Sequence, residues 1–346
     1  MALLDYSTLS PALSQLFSDK LRRQANRISV LANLIPKKMG AGKNVAWDAE
    51  FSGASAAAYA DGADAATFDT DVSVPATINW ARYRSNFSVS GMAISAAQTS
   101  NSPEELLNVI LSKADGCAEK LLSVMNAGLY AGAGGDAFVG LATAVDDTAA
   151  YAGINRAVTY TEWQSSVLSN GAVVRDLTKE LMDAAERSVY GKCSISPNFI
   201  VTTPIIASKF ESLLDTNVRR EALADLSPLA GVGEDGAIPG ALQRNLMGFY
   251  KGIPVFRDKD CTAGQLFMLN SEAMSLELLP QPGVNTSAMA ADRQLSSDGE
   301  RVSGIPARVE ALGKLGDSER FTLKVYAQLK VARPNTCAVI KDLPTS

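Results

Sequence analysis

The stretch AEFSGASAAAYADGADAATFDTD, Ala49 to Asp71, holds no Leu, Ile or Val. Small residues and acids dominate it, with three aromatics, Phe51, Tyr59 and Phe68, spread among them. A segment of this composition cannot build a core of its own and must find an apolar surface elsewhere. What flanks it says what kind of segment it is. Just before it, KNVAWDAEF (Lys43–Phe51) alternates in strand fashion, with Val45, Trp47 and Phe51 at or near one face. After it, FDTDVSVPATINWARYRSNFSVSG (Phe68–Gly91) is a second strand-rich run. Together they predict a long two-stranded ribbon, and a ribbon alone in water is only marginally stable.

Further along, SPEELLNVILSKADGCAEKLLSVMNAGLYAG (Ser102–Gly132) predicts a long helix. Ser102 is a good N-cap, Pro103 occupies the first helical position and Glu105 completes a capping box. Leu106, Leu107, Ile110, Leu111, Ala114, Ala118, Leu121, Leu122, Met125 and Leu129 form one stripe at helical spacing. A second amphipathic helix is expected in VRDLTKELMDAAERSVYGK, ending at Gly191. NFIVTTPIIASKFESLL reads as a buried strand turning into a helix after Pro204. YKGIPVFRDKD and GQLFMLNSEAMSLELL predict two more strands. In the tail, FTLKVYAQLKVA puts Phe321, Leu323, Val325, Ala327, Leu329 and Val331 on one face. The order is arm, ribbon, long helix, mixed block, closing strands. The economical pairing sets the closing strands against the long helix, with 141–300 as an inserted domain.

Composition narrows function. The 346 residues are 47% hydrophobic and 20% charged, which is globular. The apolar runs are far shorter than a membrane helix, and the N-terminus lacks the order of a secretory signal, so a cytoplasmic protein is expected. Four dispersed cysteines, Cys117, Cys193, Cys261 and Cys337, contain no CxxC pair and read as reduced thiols. No histidine is present, which excludes histidine triads, Cys-His pairs and histidine metal sites, and lowers the case for an enzyme. GVGEDG (Gly231, Gly233, Gly236) matches a dinucleotide motif in letters only: no strand precedes it, and Glu234 and Asp235 would repel a pyrophosphate. GAGKN (Gly40–Asn44) lacks the first glycine of a phosphate loop. No cofactor or metal is expected.

Charge is segregated. Residues 1–43 carry Lys20, Arg22, Arg23, Arg27, Lys37, Lys38 and Lys43 against Asp5 and Asp19, leaving −10 for the rest of a −5 chain. The next segment, 44–74, holds Asp48, Glu50, Asp61, Asp64, Asp69 and Asp71 and no base. These read as solvated faces or as complementary surfaces that meet within or between chains.

This organisation resembles the major capsid protein family of tailed bacteriophages, the Hong Kong-type coat fold shared with encapsulins. The resemblance covers essentially the whole chain. It rests on the order of elements and on GLATAVDDTAAYAGINRA, FIVTTPIIASKFESL and YKGIPVFRDKDCTAGQLFMLN, with the pair Gly252/Pro254. It implies an α+β fold: an N-terminal arm (1–42), an extended β-hairpin or E-loop (43–95), a P domain with its spine helix (96–140), an inserted A domain (141–300) and P-domain closing strands (301–346). It implies a coat protein that self-assembles through pentamers and hexamers into an icosahedral head around double-stranded DNA, made in the host cytoplasm and located in the virion. Portal and scaffolding proteins are the implied partners, a decoration protein is an optional one, and contact with DNA is non-specific. The long N-terminal scaffolding segment of the prototype is not expected here, which implies assembly with a separate scaffolding protein or with none. The alternatives are an encapsulin-like cargo shell and, less favoured, a carboxylate-based enzyme. The expected contacts are Trp47, Phe51, Tyr59, Asp61, Asp64 and Phe68 in the E-loop and Lys20, Arg22, Arg23, Arg27, Lys37 and Lys38 in the arm. Gly231, Gly233, Glu234 and Asp235 are expected in an axial loop. The ribbon's partner surface is expected on another subunit.

Overall fold

The computed structural model describes residues 29–52, 58, 61, 72–92, 95, 103–213, 244–280, 294–296, 299–301, 305 and 308–345. A short helix α1 (Leu31–Leu34) leads into strand β1 (Lys37–Met39). The ribbon follows as β2 (Asn44–Ser52) and β3 (Val72–Asn79), and then β4 (Ala81–Ser90) and the 29-residue helix α2 (Pro103–Ala131). The middle of the chain gives α3 (Leu141–Ala144), β5 (Ser166–Leu168), α4 (Lys179–Cys193), β6 (Phe199–Thr202) and α5 (Pro204–Leu213). Strands β7 (Leu246–Tyr250), β8 (Ile253–Arg257), β9 (Leu266–Leu269) and β10 (Met274–Leu278) come next. The chain continues with β11 (Gln294–Ser296), β12 (Gly299–Arg301), β13 (Arg308–Leu315), β14 (Ser318–Val331) and β15 (Ala338–Ile340).

A seven-stranded sheet is organised by the 14-residue β14. Ala327 is paired with both Ala81 and Leu278, so β4 and β10 flank β14 on opposite sides. From Phe321 to Val331 the odd-numbered face of β14 is apolar, and its register sets Phe321 opposite Phe87 and Val325 opposite Tyr83. Helix α2 lays its stripe, including Ala114, Ala118, Leu121, Met125 and Leu129, on that face. The long helix and the closing strand therefore pack together, as the sequence order predicted. A six-stranded sheet, β5-β15-β9-β6-β8-β7, forms the second half. It is buried on both sides: Ile200, Val255 and Met268 face α4 and α5, while Phe199, Val201, Phe256 and Phe267 join the main core. Burial on both faces is why these strands read as unbroken apolar runs.

The structure departs from the sequence reading in several places. The run Phe68–Gly91 is two strands in two sheets: β3 pairs β2 in the ribbon, whereas β4, inside the 43–95 segment, belongs to the seven-stranded sheet. Trp80 marks the break, its indole N–H donating to Gly42 O at 3.0 Å. Strand β1 of the arm and β10 of the 141–300 segment lie side by side in the seven-stranded sheet. Strand β15, from the closing segment, crosses into the six-stranded sheet. Helix α4 runs past Gly191, and the left-handed C-cap is Ser194 at φ 55°. The end of α2 folds back tightly, Gly140 N–H donating to Gly132 O at 2.9 Å. A β-carbon on Gly140 would lie 2.5 Å from Gly132 N and 2.8 Å from Tyr130 O, both backbone atoms that cannot swing aside. Gly140→Ala is expected to cost about 1–3 kcal/mol, read as a lowered melting temperature. An unchanged melting temperature would show that this close approach is not needed.

Candidate assembly surfaces

The ribbon's register explains its composition. Val45 pairs Ile78, Trp47 pairs Ala76 and Ala49 pairs Val74. Strand alternation puts these with Phe51 on one face, and Val45, Ala49, Ala76 and Ile78 are buried. Asp48, Glu50, Ser73 and Thr77 stand on the opposite, exposed face. The apolar face is docked on the chain's own body. Phe51 stacks on Tyr160 at 4.3 Å and meets Trp163 edge-on at 5.9 Å. Trp47 lies 6.2 Å from Tyr151 and under the Lys330 ammonium at 5.2 Å. Thr77 N–H donates to Ala152 O at 3.0 Å, and Gln328 Nε2 donates to Asn79 O at 2.7 Å. The expectation that the whole ribbon waits for a neighbour is thereby corrected: Trp47 and Phe51 have partners within the chain, because the root of the ribbon carries an apolar stripe that the tip lacks.

The receiving loop is shaped by a residue the sequence reading passed over. Arg156 is fully buried, and its guanidinium donates to Ala149 O at 2.7 Å, Ala144 O at 2.6 Å and Thr143 O at 2.6 Å. Burial pushes its pKa down, while Asp146 and Tyr151 oppose the shift. The guanidinium also sits over the Tyr151 ring, and Tyr151 accepts from Val331 N–H at 2.8 Å. Burial raises the Tyr151 phenol well above its ordinary range, so it stays neutral. At the loop's start Asp146 takes the Lys341 ammonium at 2.8 Å and the Ala149 N–H at 2.9 Å. Burial alone would raise this carboxyl, but Lys341, Ala149 and Thr148 outweigh it and hold it at about 2.

A second junction ties the end of the arm to both halves. Ser29 Oγ donates to Asn126 Oδ1 at 2.5 Å, and Asn126 Nδ2 donates to Asp260 Oδ2 at 2.7 Å and Asp258 Oδ1 at 3.2 Å. Tyr130 OH donates to Asp258 Oδ2 at 2.9 Å, and Asp260 N–H to Asp258 Oδ1 at 3.0 Å. Burial raises the Asp258 carboxyl against these bonds. The oxygens of this carboxylate are thus occupied by structural donors.

Of the other expected contacts, Asp61 is exposed in a turn. Lys37 and Lys38, assigned to the arm's outer contacts, lie inside the sheet opposite Leu276 and Glu277, and Lys37 is buried. Tyr59, Asp64, Phe68, Lys20, Arg22, Arg23, Arg27, Gly231, Gly233, Glu234 and Asp235 lie outside the described residues. Among the described residues no helix is long and apolar enough to cross a membrane, and no acidic or thiol cluster could hold a metal.

No protein-family model and no curated protein matches the sequence. Solved structures do. The capsid asymmetric unit of cyanophage A-1(L) aligns over 91% of this chain and 91% of its own, at TM-score 0.62 and 18% identity. The capsid of a native GTA particle aligns over 91% of both chains at TM-score 0.57 and 12% identity. A chain from Mycobacterium phage Adephagia aligns over 92% of this chain and 91% of its own at TM-score 0.54 and 10% identity. The fold is α+β and is that of the tailed-phage coat subunit.

Because Asp146 has a depressed folded-state pKa, its contribution to stability is present above the ordinary carboxyl value of 3.8 and is lost as pH falls towards about 2. The stability gap between wild type and Asp146→Asn in urea denaturation should therefore shrink between about pH 5 and about pH 2. A gap constant over that window would contradict the pairing with Lys341.

Proposed function

We propose that this chain is the major coat protein of a tailed-bacteriophage head, many copies of which tile into an icosahedral shell around double-stranded DNA. The observation that carries the reading is the coat-subunit fold over nearly the whole length of both chains, with a two-stranded ribbon, β2 and β3, among its elements. Its role is structural: subunits meet in heterologous, ring-closing contacts, and many modest interfaces sum to a stable container. Individually weak contacts let misplaced subunits leave before the shell closes. The resemblance assigns the 231–236 segment to the domain expected at five- and six-fold axes. The basic arm, the ribbon and the seven-stranded sheet join neighbours. The sheets cross the domain divisions that the resemblance implies: β1, β4 and β10 belong with the sheet around β14, and β15 belongs with the six-stranded sheet. Portal and scaffolding proteins complete assembly in the host cytoplasm, and the product resides in the virion.

Electron microscopy of the purified protein is expected to show closed shells of megadalton mass; a small, homogeneous oligomer under all assembly conditions would contradict the reading. The ribbon's docked root supplies a sharper test. Phe51→Ser with Tyr160→Ser removes the ring stack and unties the ribbon's direction, while the sheet around β14 is untouched. The variant should elute as a folded, soluble subunit and give far fewer shells by size-exclusion chromatography. Shells in wild-type yield would show that the ribbon's angle is set elsewhere.

A further inference from the structure

The stretch Ser29–Met39, where the arm meets the body, is threaded through the fold. Val30, Leu31, Leu34 and Ile35 are buried in the main core, and α1 packs against α2. Ser29 Oγ donates to Asn126 Oδ1 on that helix at 2.5 Å and accepts from Ala32 N–H at 3.1 Å. Two residues past α1 the chain enters the seven-stranded sheet. Pro36 O accepts from Leu276 N–H, and Gly40 N–H donates to Leu278 O, both at 2.9 Å. These bonds turn the even-numbered backbone groups of β1 towards β10. By alternation Lys37 and Met39 turn theirs to the other side, where Lys38 stands opposite Arg301 of β12.

The sheet order β11-β12-β1-β10-β14 makes β1 a spacer between parts of the chain that come far later in sequence. Among the described strands β12 pairs with β11 and β1 alone, so this hairpin reaches the sheet through β1. With β1 withdrawn, β12 would stand two strand spacings from β10, about 9.6 Å, beyond any backbone hydrogen bond. The three-residue β1 holds a short ladder on each side, and β14 holds 14 residues. Short ladders open locally at far lower cost than the strands at the centre of a core.

We propose that Ser29–Met39 is a strap that carries movement of the arm, through α1 and β1, to the β11–β12 hairpin. Seated, the strap holds the hairpin on the sheet; withdrawn, it releases the hairpin and leaves the sheet around β14 in place. The strap is a property of the single subunit. The coat reading enters only in naming a neighbouring copy as what grips the arm.

Hydrogen–deuterium exchange on the full-length, unassembled subunit reads the coupling strand by strand. Met39→Pro removes the N–H that faces β12 and spares the bonds of Pro36 and Gly40 to β10. Amides of Gln294–Ser296 and Gly299–Arg301 should then exchange about tenfold faster, while β4 and β14 keep wild-type rates. Ser29→Ala lies far from the hairpin in sequence and removes the bond to Asn126; it should speed the same amides about fivefold. Lys38→Cys with Arg301→Cys, opposite each other in register, should slow them when oxidised with glutathione disulfide and free them again on reduction. Should Met39→Pro fail to fold, Ser29→Ala and the cysteine pair carry the test. Hairpin exchange at the wild-type rate in Met39→Pro or in Ser29→Ala overturns the proposal. So does loosening of β14 in step with the hairpin, which would make the arm's root an ordinary part of the core. These outcomes leave the coat reading standing, whereas a wild-type chain that never forms shells ends that reading and leaves the strap.

Discussion

Strand β14 is a wall with two occupied sides, and the rest of the molecule is arranged by that constraint. Its 14 residues alternate so that one side is apolar from Phe321 to Val331 and the other carries Lys324, Gln328 and Lys330. The apolar side takes α2. On the other side Gln328 and Lys330 take the root of the ribbon. Gln328 is fully buried and bridges both features, accepting from Val139 N–H beyond the end of α2 while donating to Asn79 O beside the ribbon. A strand pinned on both edges, covered by α2 on one face and by the ribbon's root at Gln328 and Lys330 on the other, has little freedom at that end, so the helix and the ribbon keep a fixed relation.

That relation bears on assembly. A projecting ribbon that had to be ordered only on contact would charge its conformational entropy to each new interface. Here the aromatic clasp of Phe51, Tyr160, Trp163, Trp47 and Tyr151 orders the root within the subunit. Arg156 makes the clasp possible by gathering three carbonyls that would otherwise be stranded in the loop beneath it. The ribbon's root thereby holds a set direction relative to the sheet, with Asp48 and Glu50 on its exposed face.

Much of the frame could be read from the sequence because it is written in local periodicity. Pro103 and the Leu121–Met125–Leu129 stripe announce α2, and the alternation from Phe321 to Val331 announces β14. The coat fold followed from the order of these elements. The parts that were not legible depend on partners distant in sequence. Lys37 and Lys38 looked like a basic arm because a three-residue strand has no period to detect; only β10, far along the chain, makes them a strand. Nothing at Trp80 resembles a breaker, since the break is made by an indole reaching back to Gly42. Arg156 lies within a stretch that carried the family resemblance, yet a lone arginine gives no hint that it will be buried on carbonyls from residues 143–149. The aromatics of the ribbon were recognised as anchors, but the same residue types serve an anchor inside the chain or between chains. Their partners Tyr160 and Trp163 lie a hundred residues away.

The central claim is that the ribbon's root is ordered before any neighbour arrives. Hydrogen–deuterium exchange on the unassembled subunit tests it most directly. Amides of Asn44–Ser52 and Val72–Asn79 should be protected in the free subunit, on a par with β4, and should change little on assembly. Exchange in these two strands at the rate of an unstructured chain until subunits assemble would contradict the account.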